Sequence, residues 1–225
     1  MYVLHIANKN YSSWSLRPWA LMRELAIRFT ERIHAFGQER FHDFSPTGRV
    51  PLLVDGDTKV WDSLAITEYL AERHPGVWPA DAAARTWARC AAAEMHSGFA
   101  VLRARCAMTV GLRIRLSEFP PELQSDVSRI DALWCEGLRR FGGPFLAGSA
   151  FTAVDAFFCP VAYRVQTYDL ELSPPARAYC ERLLQLASMQ AWTADALREP
   201  WRDQPHEESL REAGEWVADL RMSEG

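Results

Sequence analysis

The first third of the chain alternates short apolar runs with turn residues, and the remainder consists of long stretches of helix-forming residues. Tyr2 to Ala7 alternates loosely and reads as a strand, closed by the polar Asn8, Lys9 and Asn10. A helix is expected soon after Tyr11. Pro18 is tolerated in a helix's first turn, where its missing N–H would have had no partner, so the cap is expected near Ser15 and the helix runs to about Ile27. Phe29 to Phe36 reads as a second strand, and Gly37 to Gly48 as a polar connector that can hold a short helical turn.

Ser45 to Pro75 is the most informative stretch. Pro51 opens the brief apolar run Leu52-Leu53-Val54, Asp55-Gly56 is a hairpin signal, and Thr58 to Trp61 resumes strand-favouring residues. A proline fits a strand only at its first residue or on its edge. Asp62 and Ser63 can each cap the helix that follows, whose apolar face is Leu64, Ile66, Tyr69 and Leu70. His74-Pro75-Gly76 ends it. The first 75 or so residues thus spell β-α-β, connector, β-β-α.

The rest reads as helical. Ala82 to Met108 has no proline and is expected as one long helix. Phe119-Pro120-Pro121 opens another that runs to about Phe141, where Gly142-Gly143-Pro144 breaks it. Thr152 and Asp155 stand at capping-box spacing ahead of a buried apolar helix, and two further helices are expected around Pro175–Ser188 and Gln190–Arg198. The tail from Pro200 alternates charged and apolar residues and is expected to fold over the body.

The order of a strand opened by Val50-Pro51, a hairpin and Asp62-Ser63 at a helix start resembles the glutathione-binding half of the cytosolic glutathione transferases. Phe145-Leu146-Ala147-Gly148 before Thr152 and Asp155 is similar to the phrase that precedes that family's second-domain capping box. The resemblance implies an α/β thioredoxin-like N-terminal domain at residues 1–80, followed at 81–225 by an all-α helical bundle that walls the electrophile site and carries the polar tail. It also implies a cis Pro51, backbone contacts from Val50 to the cysteinyl part of glutathione, and Asp62 and Ser63 holding its γ-glutamyl end. Arg49 matches a position that often reaches the glycyl carboxylate. Read without the resemblance, Arg49 is a solvated loop charge and Asp62 a helix cap.

Ser12-Ser13-Trp14-Ser15, with Arg17 soon after, is similar to the zeta-class signature of the same family, in its serine-type branch. Position by position, Ser12 falls on the thiol-activating serine and Ser13 on its neighbour; both are candidates, and both also suit a turn ahead of a cap. Where that signature has Cys, this chain has Trp14, which departs from a maleylacetoacetate-isomerase pattern. A free thiol with a pKa of about 8.5 is a few per cent ionised at neutral pH, and lowering it by about two units takes roughly 2.7 kcal/mol. A helix N-terminus supplies roughly 0.3–1 kcal/mol and one hydroxyl donor to a charged sulfur roughly 1.5–3. Together these suffice without a metal. Tyr11 and Trp14 are expected to wall the electrophile site, joined by Arg105 and Met108, with Arg103 as a further candidate.

The length of 225 residues and 48% hydrophobic content allow one or two domains with real cores, and a net charge of −4 argues against a general nucleic-acid or anionic-membrane surface. There is no basic leader before an apolar segment, and no apolar run of the roughly 18 residues that would cross a membrane. The five cysteines, Cys90, Cys106, Cys135, Cys159 and Cys180, lack metal-like spacing, read as reduced cytosolic thiols, and leave no nucleophile near position 12 for disulfide exchange. The expectation is a cytoplasmic glutathione transferase acting on a small electrophile, without metal, and a homodimer by resemblance. A glutathione-dependent isomerase or peroxidase, or a non-catalytic binding or scaffold protein of the same fold, would share its binding residues.

Overall fold

In the computed structural model, which describes residues 1–222, the chain begins with β1 (Tyr2–Ala7), α1 (Ser13–Glu24) and β2 (Phe29–His34). A single 3-10 turn at Phe41–Asp43 leads to β3 (Leu52–Asp55), β4 (Thr58–Trp61) and α2 (Ser63–Ala71). The strands form one mixed sheet in the order β2-β1-β3-β4. β1 runs parallel to β2, with Tyr2 opposite Phe29, and antiparallel to β3, with His5 opposite Leu52. Leu4, Ile6 and Leu53 bury the sheet face on which α1 and α2 close. This is the thioredoxin-like arrangement expected of the element order.

Helices α3 (Ala82–Ser97), α4 (Ala100–Arg105), α5 (Pro121–Phe141), α6 (Ala153–Tyr168), α7 (Pro174–Leu184), α8 (Ala187–Arg198) and α9 (Gln204–Ala213) make up the remainder. α6 is the axis of the molecule: every residue from Ala153 to Tyr168 except Gln166 is buried, and it packs against α1, α3 and α7. A helix apolar all round has no other place to go. Its start is fixed as the capping box required, with Asp155 accepting from the Thr152 N–H at 2.9 Å, and also from the Leu146 N–H at 3.0 Å and the Tyr179 hydroxyl at 2.9 Å.

Lys9 ties the sheet domain to the helices. Only 1% exposed, it pairs with Glu31 on β2 at 2.8 Å and with Asp195 on α8 at 2.7 Å, and its ammonium lies over the rings of Trp19 and Trp192.

Three expectations are corrected. α1 begins at Ser13 with Ser12 as its cap residue, so Pro18 lies inside the helix rather than in its first turn. The single helix expected over Ala82–Met108 is two, because Phe99 adopts a left-handed conformation (φ 55°) and the Arg103 guanidinium folds back onto the carbonyls of His96 and Gly98. The helical domain also carries a two-stranded ribbon, β5 (Leu112–Leu116) paired antiparallel with β6 (Gly214–Asp219), so the tail returns over the body as α9 and a strand. Among the described residues no helix is long and apolar enough to cross a membrane.

Candidate active site

Two adjoining cavities open between the sheet domain and the helices. The first, of about 550 Å³, is lined by Arg49, Val50, Pro51, Asp62 and Ser63, with Trp61 and Thr47 at its rim. The second, of about 520 Å³, is lined by Tyr11, Ser12, Ser13, Met108, Arg164 and His206, and by the rings of Phe36 and Phe41. Trp14, Arg49, Val50 and Arg103 belong to both, so the two form one continuous cleft.

The chain order explains this convergence. Val50 lies just before the first ladder pair of β3, and the Val50–Pro51 peptide is cis. Asp62 caps α2 by accepting from the Leu64 N–H at 2.8 Å, and its carboxylate lies 3.6 Å from the His96 ring. Burial, opposed by Asp62 and then reinforced by Arg17 and Arg103, holds His96 below the usual imidazole range. The Ser63 side chain is 1% exposed, and its hydroxyl has no hydrogen-bond partner among the described residues. A buried hydroxyl left unpaired at a helix N-terminus suits an anionic ligand group, because α2's own positive end faces the same space.

At the other end, Ser12 stands at the head of α1. Its hydroxyl donates to Ser15 Oγ at 2.7 Å, and that oxygen also accepts from the Ala7 N–H at 3.2 Å. Ser15, expected only as a cap, is therefore a partner of Ser12. Ser13 lines the cleft beside it. Tyr11 is held differently: its hydroxyl donates to Glu207 and accepts from Arg221 at 3.1 Å. Burial first, then the Glu207 bond, pushes Tyr11 up out of the usual phenol range, so its proton stays committed.

Ten of the eleven site residues read from the sequence line the cleft: Tyr11, Ser12, Ser13, Trp14 and Met108, with Arg49, Val50, Pro51, Asp62 and Ser63. Arg105 does not. It is exposed at the end of α4, its guanidinium 3.7 Å from Glu118, and the arginine two residues earlier takes the cleft position because α4 turns that face inward. Sequence reasoning missed Phe36, Phe41, Arg164 and His206. Arg164 had a signal, the one basic residue in a helix otherwise largely apolar beyond its Asp155 cap; His206 had none, since α9 reaches the cleft only by tertiary packing.

Residues 11–73 match the family described as glutathione S-transferase, N-terminal domain. A stretch of 61 residues is 38% identical to a dichloromethane dehalogenase of Methylorubrum extorquens, covering 24% of this chain and 21% of that protein. A longer match, 178 residues at 25% identity, joins 76% of this chain to 82% of a probable maleylacetoacetate isomerase of Caenorhabditis elegans. Among solved structures, a theta class glutathione S-transferase of Xanthomonas axonopodis pv. citri with glutathione bound superposes with a TM-score of 0.64 at 22% identity, over 85% of this chain and 96% of that one.

Proposed function

We propose that this chain is a glutathione transferase, on the match of residues 11–73 to that family's N-terminal domain and on its fold, and that it binds glutathione in the first cavity and activates its thiol for attack on a small electrophile in the second. The observation that carries this reading is the continuity of the cleft: the unpartnered Ser63 hydroxyl and the Asp62 carboxylate stand at one end, the Ser12 hydroxyl at the other, with Val50 shared between them.

In this reading the γ-glutamyl carboxylate takes the Ser63 hydroxyl and the α2 N-terminus, its ammonium takes Asp62, and Arg49 takes the glycyl carboxylate. The sulfur then lies near Ser12. Ser12 turns its O–H from Ser15 to the sulfur, Ser15 turns its own O–H to the Ser12 oxygen, and the Ala7 N–H continues to hold Ser15. The thiol proton leaves to water. The thiolate attacks an electrophilic carbon, the C–S bond forming as a halide departs with its bonding pair or as a double bond accepts the electrons. Ser12 is the activating group and Ser13 its neighbour in the same wall.

A glutathione-dependent isomerisation uses the same thiolate, which adds to a double bond and leaves again; the Caenorhabditis elegans relative favours keeping it as the second reading. A two-fold homodimer in the cytoplasm completes the proposal, on family grounds.

Calorimetric titration with glutathione tests the binding half. Ser63→Ala is expected to weaken binding about tenfold or more, since it removes a hydrogen bond to a charged group. Equal affinity in the wild type and Ser63→Ala would overturn this placement of glutathione.

A further inference from the structure

The second cavity is lined by Arg49, Arg103, Arg164 and His206, and by no carboxylate. Arg49 and Arg103 also face the first cavity, whereas Arg164 belongs to the second alone. Arg164 projects from the buried helix α6 and is only 4% exposed. Its Nε donates to the Cys106 carbonyl at 2.8 Å and its Nη1 to the Pro160 carbonyl at 3.2 Å. These bonds fix the plane of the guanidinium and leave its Nη2 edge for the cavity. No carboxylate lies within ion-pair distance of Arg164, Arg103 or Arg17 among the described residues.

Arg17 adds to the imbalance. It is buried between the rings of Trp14, 4.1 Å from its guanidinium, and Phe157, at 4.8 Å, with Nε and Nη1 unpartnered. Burial, together with its neighbours Arg164 and Arg103, holds it below the usual guanidinium range. Buried cations are normally paired, and these stand together against the one partly exposed carboxylate of Asp62. Such a wall is costly unless an anion completes it.

We propose that the electrophile carries a carboxylate, bound by the free edge of Arg164 with Arg103 beside it, while its flat unsaturated body lies against Phe36, Phe41 and Met108. A planar guanidinium held by two carbonyls is a pre-organised carboxylate receptor. The inference rests on the reading of the second cavity as the electrophile site.

The test is a binding comparison on the full chain saturated with S-methylglutathione, whose sulfur cannot react. Calorimetry compares 4-nitrobenzoate with the uncharged 4-nitrobenzamide. The benzoate is expected to bind about tenfold or more tightly, a preference that collapses toward unity in Arg164→Met and survives in part in Arg164→Lys. If Arg164→Met fails to fold, Arg103→Met carries the same comparison. Equal affinity for the two probes, or a preference untouched in both Met variants, would overturn the inference. Because neither probe reacts, loss of turnover with the preference intact would count against the conjugation reading alone, while conjugation of neutral electrophiles with no preference would count against the carboxylate alone.

Discussion

Tyr11 and Ser12 are neighbours with opposite electrostatic situations, and this separates their roles. The Tyr11 proton is spent on Glu207, and the buried Arg221 that accompanies them pairs with Glu207 and with Asp219, at 2.7 Å. The Ser12 proton is spent only on another hydroxyl, Ser15, which is free to reverse the bond. A group that is to donate to a forming thiolate must be able to turn, and Ser12 can do so at the cost of one weak neutral bond. Tyr11→Phe is therefore expected to lower stability by about 1 kcal/mol in urea unfolding while leaving the pH at which thiolate forms where it was. A shift of that pH would move the activating role to Tyr11. The sequence resemblance already set Ser12 among the activating candidates and Tyr11 in the electrophile wall. The physical reason for that order is Glu207, nearly two hundred residues away in the chain, which holds the Tyr11 proton.

The elements divide by whether their signals are local. β3, β4 and α2 followed from Pro51, Asp55-Gly56 and Asp62, each of which constrains its own backbone or cap. The Thr152–Asp155 box did the same for α6. Asp155→Ala would strip the acceptor from the Leu146 and Thr152 N–H groups and from the Tyr179 hydroxyl, all buried. The expected loss is about 3 kcal/mol, read by chemical denaturation; a loss below about 1 kcal/mol would mean that the box is not what fixes the helix start. The elements that were not legible depend on partners far away. Leu112 to Leu116 alternates like a strand, whereas Gly214 to Asp219 carries three consecutive apolar residues and shows no alternation in sequence; each is short, and neither is stable until paired with the other across the body. The break after Ser97 depends on Arg103 reaching back to cap α3, which helix propensity does not encode. Pro18 misled because α1 starts early, at the residue that the cleft uses.

Across the whole molecule, the cleft exists because α6 holds α1 from below while Lys9 pins the end of β1 to α8, and because α9 closes over Tyr11 with His206 stacked on its ring at 5.0 Å. The sheet domain alone supplies Ser12, Val50, Asp62 and Ser63; the helical domain supplies Arg103, Met108, Arg164 and His206. The first set was legible because it sits in a compact run of turn and cap motifs. The second comes from single positions on helix faces, where no spacing distinguishes a cleft-facing Arg103 from the outward-facing Arg105. In the proposed reading the division also assigns tasks: the sheet domain would bind and ionise the thiol, and the helical domain would select the electrophile. The central claim is that Ser12 ionises a bound thiol, and the ultraviolet difference spectrum of the protein with glutathione, titrated from about pH 5 to about pH 9, tests it most directly. The expected result is a thiolate band appearing well below the pH of the free thiol in the wild type and moving upward by about one to two units in Ser12→Ala, with glutathione still bound. A band that titrates at the same pH in both proteins, or no band in a glutathione-saturated wild type, would contradict the account.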